Sequence, residues 1–85
     1  MPYQVILKPG AQRDLKRLDN PVRKRVAVAL DRLLENPRHH GVTPLVEGEN
    51  VYRVRVGEWR IIFEIADNES LVTVSRIRHR RDAYR

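Results

Sequence analysis

The stretch from Tyr52 to Phe63, Tyr-Arg-Val-Arg-Val-Gly-Glu-Trp-Arg-Ile-Ile-Phe, admits few folds. Apolar residues recur at every second position on both sides of Gly57-Glu58, and a Gly-first pair suits the type II′ turn of a two-residue β-hairpin. That register sets Val56 opposite Trp59, Val54 opposite Ile61 and Tyr52 opposite Phe63, so all six face one way. It also sets Arg55 directly across from Arg60, with Arg53 two residues along on the same face. Like charges directly opposite each other destabilise a sheet, and Ile62 alone gives that face no core. The apolar face requires a covering layer, and the arginine face calls for an anionic partner.

The rest of the chain supplies the layer. Tyr3 to Leu7 reads as a short strand, and Pro9-Gly10 opens a helix with Ala11, Leu15 and Leu18 at helical spacing. Asp19-Asn20-Pro21 closes it. Asn20 is then the expected N-cap, and Pro21 the first residue, of a second helix with Val22, Val26, Ala29, Leu30 and Leu33 as its apolar stripe. Asn36-Pro37 stops that helix, and so short a connection makes the two an antiparallel hairpin. Residues 38–50 read as a loop, pinned to the core by Val42, Leu45 and Val46. Beyond the strand pair, Asp67-Asn68-Glu69-Ser70 is a turn and Leu71 to Ile77 a further strand. There Leu71 and Ile77 point one way and Val72 and Val74 the other, the pattern of a central strand buried on both faces. The expected architecture is α+β in the order β-α-α-β-β-β: one domain over residues 1–85, a helical hairpin on one face of a mainly antiparallel sheet of about four strands.

Composition narrows the function. A chain of 85 residues holds one core and no second domain. Hydrophobic residues at 41% and charged residues at 33% fit a folded, soluble protein. No apolar run approaches the roughly 20 residues that span a bilayer, and the first residues lack signal-peptide features. A cytoplasmic location without a membrane partner is expected. The absence of cysteine removes disulfides, a thiol nucleophile and thiolate metal sites. His39 and His40 point apart in an extended loop without carboxylates at useful spacing, so no metal site is expected. No Gly-rich phosphate loop, Walker pattern or serine triad calls for a cofactor or covalent catalysis. The net charge of +6 suits a polyanion, most commonly nucleic acid. Fourteen of the seventeen basic residues are arginine, whose planar fork matches phosphate.

Helices can cover only one side of the sheet. Arg53, Arg55 and Arg60 then lie on the open side, with Glu58 and Glu64 the acids placed to relieve them, and the strand ending at Ile77 brings Arg78, His79, Arg80, Arg81 and Tyr84 to its edge. A neutral His79 could take a proton from a ribose 2′-hydroxyl. Trp59 and Tyr52 could stack on bases, but the register assigns them to the core. Arg13, Lys16, Arg17, Arg23, Lys24, Arg25 and Arg32 on the helices read as a solvated face.

Nearly the whole chain resembles the RelE/ParE superfamily of bacterial toxins from type II toxin–antitoxin pairs. The resemblance rests on the helical hairpin with Asn20-Pro21 at its turn, Asn36-Pro37, Tyr52-Arg-Val-Arg-Val-Gly, Trp59-Arg-Ile-Ile-Phe-Glu-Ile and Ile77-Arg-His-Arg-Arg-Asp-Ala-Tyr-Arg85. Similarity to the RelE branch implies a ribosome-dependent endoribonuclease that cuts mRNA in the ribosomal A site by 2′-hydroxyl attack, with ribosome, mRNA and a cognate antitoxin as partners. It implies that Arg60, Arg80 and Tyr84 are catalytic, with His79 beside them, and that Arg53 and Arg55 hold the RNA backbone, joined by Arg78 and Arg81. The best-known members carry lysine where Arg53 and Arg55 stand, and arginine is a poor proton shuttle. Tyr84 also follows Arg80 more closely than in those members. The ParE branch shares the fold and implies instead a protein that poisons DNA gyrase by contact, without nuclease chemistry. A plain RNA-binding domain would want more exposed aromatics than Tyr84.

Overall fold

A computed structural model describes residues 2–45 and 49–82. Strand β1 (Gln4–Leu7) leads into helices α1 (Pro9–Lys16) and α2 (Asn20–Glu35). Strands β2 (Val42–Pro44), β3 (Val51–Val56) and β4 (Trp59–Ala66) follow, then a 3-10 turn over Asp67–Glu69 and strand β5 (Leu71–His79). The five strands form one sheet in the order β1-β5-β4-β3-β2, antiparallel except where β1 runs parallel to β5. The α+β class is as expected, with five strands in place of about four. The addition is β2, inside the stretch read as a loop. It pairs Val42 with Val54, Thr43 with Arg53 and Pro44 with Tyr52 at the sheet edge, where proline is tolerated. Val42 packs on the core as expected, Leu45 is exposed, and Val46 lies outside the described residues.

Both helices lie on one face of the sheet. Ala11, Leu18, Val26 and Leu33 meet Val54, Ile61, Phe63, Ile65, Val72, Val74 and Ile77 there. The hairpin register is as read from the sequence, from Val56 opposite Trp59 to Tyr52 opposite Phe63. Gly57 takes φ +61° while Glu58 keeps a negative φ, the sign pattern of a type II′ turn. Strand β5 departs from its reading. Phe63 pairs with Val74 but Ile62 with Arg76, so Ser75 is a bulge residue. The extra residue turns Ile77 back to the helix-covered face, and Val72, Val74 and Ile77 are all buried on one side. Weak alternation here marks the bulge rather than two-sided burial.

Two arginines expected to be solvated, or given no role, are structural. Arg23 on α2 donates to the carbonyl oxygens of Leu15 (3.3 Å), Lys16 (3.1 Å) and Leu18 (2.8 Å), capping the last turn of α1 and closing the helical hairpin. The N-cap position of α2 is Asp19, one residue earlier than expected, and no side chain caps it. Arg38 grips Asp67 with two hydrogen bonds (2.8 and 2.9 Å) and lies 5.5 Å over the Tyr52 ring, while the Tyr3 hydroxyl donates to the same carboxylate. This joins β1, β3 and the loops at the end of the sheet far from the hairpin turn. Arg38 foremost, and Tyr3 after it, hold the exposed Asp67 carboxyl below its ordinary range.

Strand β1 ends beside Val74, and α1 takes over the edge of β5 beyond it. Gly10 allows the approach, since a Cβ there would stand 3.2 Å from the Arg76 side chain. Asp14 then accepts hydrogen bonds from the Ile77 amide (2.9 Å) and from Arg76 Nε (2.8 Å) and Nη2 (3.1 Å). Desolvation works to raise the Asp14 carboxyl, but the bonds from Arg76 and Ile77 outweigh it and hold the group below its usual range. A depressed folded-state pKa contributes stability that is present above the ordinary carboxylate value of about 3.9 and is lost as the pH falls through the lower folded value. Asp14→Asn should cost about 1–3 kcal/mol at neutral pH and flatten the acid limb of melting temperature against pH. An unchanged acid limb would mean that Asp14 does not carry it.

Candidate functional site

The open face of the sheet carries its charge in rows set by strand pairing. Arg60 on β4 stands opposite Arg55 on β3 and opposite Arg78 on β5, so three guanidinium side chains cross the sheet in one line. The next row runs Thr43, Arg53, Ile62 and Arg76, with Arg76 drawn to Asp14. Arg60 was expected on an open surface and is instead buried, 8% exposed, with an arginine on either flank. Arg55 is exposed, and Arg53 is half-buried with its Nη1 buried and making no hydrogen bond within the described residues. Of the acids expected to relieve this face, Glu64 pairs with Lys8 at 3.6 Å, and Glu58, which stays beside the arginines, meets His79 at 3.3 Å.

A cavity of about 630 Å³ opens at the hairpin end of this row, lined by Arg55, Gly57, Glu58, Arg60, His79, Arg80 and Arg81. Four arginines against one carboxylate make it strongly electropositive. The chain leaving β5 reaches it through a turn in which the Asp82 amide donates to the His79 carbonyl (2.9 Å). The Arg80 amide donates to the Glu58 carbonyl at 2.7 Å, fastening the tail to the hairpin turn. His79 is held on three sides. The Arg81 amide donates to its Nδ1 (3.2 Å), its Nε2 meets Glu58 Oε2 (3.3 Å), and its ring stands edge-on to Trp59 with centroids 5.2 Å apart. An acceptor Nδ1 assigns the proton of the neutral ring to Nε2, so Nε2–H donates to Glu58.

The structure thus brings Arg55, Arg60, His79, Arg80 and Arg81 to one cavity, with Arg53 and Arg78 flanking it. Arg78 lines a second cavity of about 360 Å³ on the far side of β5, with Asp14, Arg17, Trp59 and Asp82, and donates to the Asp82 carbonyl at 3.4 Å. Tyr84 lies outside the described residues. Trp59 and Tyr52 pack against the core as expected, Tyr52 stacking on Phe63 with centroids 6.0 Å apart. Sequence reasoning treated Glu58 only as a relieving charge; its role in fastening the tail depends on a contact 21 residues distant in the chain. No trio of His, Asp or Glu is disposed for a metal among the described residues.

The helical hairpin backing a five-stranded mixed sheet matches the fold of solved RelE toxins. The chain belongs to the ParE toxin family of type II toxin–antitoxin systems, whose model matches residues 5–84. It is similar to toxin RelG of Mycobacterium tuberculosis, 34% identical with 100% of this chain and 99% of the relative covered. Toxin RelE of the same organism is 31% identical, with 99% and 88% covered. Among solved structures, the RelBE2 toxin–antitoxin complex of M. tuberculosis superposes with a TM-score of 0.82 at 26% identity, covering 93% of this chain and 99% of that one. The archaeal RelE–RelB complex of Pyrococcus horikoshii gives 0.84 at 22%, covering 94% and 97%, a likeness of fold. The chain is a toxin of a toxin–antitoxin system, RelE-like in sequence and structure.

The arginine row gives a stability test. Arg55 is exposed and directly opposite Arg60, so Arg55→Thr should stabilise the fold by about 0.2–1 kcal/mol, read as a rise in melting temperature of a few degrees at low salt. A lower melting temperature would show that Arg55 contributes favourable contacts to the free protein.

Proposed function

We propose that this toxin is a ribosome-dependent endoribonuclease that cuts mRNA in the ribosomal A site. The observation that carries the reading is the meeting of a buried cross-strand arginine with the Arg80 and Arg81 tail in one cavity, an arrangement suited to a phosphodiester. In this reading the scissile phosphate lies between Arg60 and Arg80. A 2′-hydroxyl attack crowds negative charge onto the phosphorane, and guanidinium groups already oriented around it stabilise that charge more than the ground state. Arg55 and Arg81 neutralise the adjoining phosphates, Arg53 and Arg78 hold the backbone to either side, and Tyr84 orients the nucleophile or stacks on a base. His79 acts from the wall of the cavity.

The curated relatives, named as toxins RelE and RelG, support this branch, whereas the family model's description favours the ParE-like alternative, inhibition of DNA gyrase by protein contact. The solved complexes of RelE with RelB support a cognate antitoxin here as well. An acidic antitoxin segment over the arginine cavity would complement the +6 charge and shut off the site. Ribosome and mRNA as targets put the site of action in the cytoplasm.

Brief induction in a bacterial host, with mRNA 5′ ends mapped beside an assay for gyrase-linked DNA breaks, separates the two readings. Codon-phased cuts inside translated frames that disappear in Arg80→Ala are expected. DNA breaks without mRNA cuts would establish the gyrase reading instead.

A further inference from the structure

Cleavage by a 2′-hydroxyl needs a group to take its proton, and the arginines around the cavity cannot do so because guanidinium does not deprotonate in proteins. His79 is the obvious alternative by residue type. Its Nδ1 already accepts the Arg81 amide and its Nε2 faces Glu58 Oε2, so neither nitrogen presents a lone pair to a substrate. Among the described residues that line the cavity one acid remains, Glu58. Its side chain is 67% exposed, one carboxylate oxygen takes the His79 ring, and the other accepts no hydrogen bond from the described residues. Its backbone is fixed from both directions, by the Gly57 turn and by the Arg80 amide on its carbonyl.

We propose that Glu58 is the general base of this toxin, with His79 as the positioning residue that orients its carboxylate. The inference rests on the nuclease reading and deepens it. Glu58 takes the 2′-hydroxyl proton while O2′ forms a bond to phosphorus. The bond from phosphorus to O5′ then breaks with its electron pair on the leaving oxygen, which takes a proton from water, and Glu58 returns its proton to solvent. The products are a 2′,3′-cyclic phosphate and a 5′-hydroxyl, with no change in oxidation state. A base on the hairpin turn accounts for how a face built of arginine can still move a proton. It also gives the contact between turn and tail a purpose, because the same residue that binds the Arg80 backbone sets the base beside the Arg80 side chain.

Single-turnover cleavage of ribosome-bound mRNA by the purified toxin tests this, with melting temperature and ribosome affinity measured for each variant. Glu58→Gln keeps an acceptor for His79 Nε2–H but cannot hold the proton, and should lower the cleavage rate by about 10²-fold or more while fold and affinity are retained. Glu58→Ala should lose the rate similarly and regain part of it when formate is added, whereas formate should not restore Arg80→Ala. Cleavage by Glu58→Gln at the unaltered rate, or a Glu58→Ala rate that formate leaves unchanged, overturns the role of Glu58 and leaves the nuclease reading standing. Absence of cleavage by the unaltered toxin overturns both.

Discussion

The row of Arg55, Arg60 and Arg78 across three strands is a repulsive arrangement that the fold enforces. Two devices set it. The two-residue turn at Gly57-Glu58 puts Arg55 opposite Arg60, and the bulge at Ser75 puts Arg78 there from the other side. Without the extra residue, Arg76 would fall opposite Ile61 and enter the core, and Ile77 would stand opposite Arg60 on the open face, because a one-residue slip exchanges the faces of a strand. Each like-charged pair costs about 0.2–1 kcal/mol, whereas burying a side chain such as Phe63 or Ile61 contributes about 1.5–3 kcal/mol. The apolar face therefore dictates the register, and the arginines are carried into line behind it.

What the sheet assembles, the tail completes. Arg80 and Arg81 reach the cavity because the segment after β5 is tied to the hairpin turn through the Glu58 carbonyl, the Glu58 carboxylate and both nitrogens of His79. Arg38 with Asp67 fastens the opposite end of the sheet, and Arg76 with Asp14 the edge of β5, so these two cations outside the cavity hold the fold. Some basic residues in this chain thus close the structure, and four others line one cavity. The folded toxin has a concentrated positive site at one end, which suits both a phosphodiester and an acidic inhibitor that excludes it.

Much of this was legible in the sequence. The β3–β4 register followed from strict alternation around a Gly-first turn, and the helices from their spacing and from the prolines that bound them. The cluster of Arg55, Arg60, Arg80 and Arg81 followed once the helices were seen to cover only one face. Strand β2 was hidden because three residues ending in proline carry no periodic signal, and β5 was misread because a bulge breaks the period that defines a strand. The capping role of Arg23, the grip of Arg38 on Asp67 and the place of Glu58 in the cavity all depend on partners distant in the chain. Single charged residues look alike in sequence, and only tertiary proximity tells a clamp from a solvated side chain.

The central claim is that the cross-strand row and the tail form one phosphate site, and it is tested most directly by following the arginine side-chain Nε–H resonances of the folded toxin during titration with a short, 2′-O-methylated RNA that cannot be cleaved. The account predicts that Arg55, Arg60, Arg80 and Arg81 shift together at low RNA concentration while Arg23 and Arg38, held by their own partners, stay in place. Shifts spread evenly over the helix arginines, or none at Arg60 and Arg80, would contradict it.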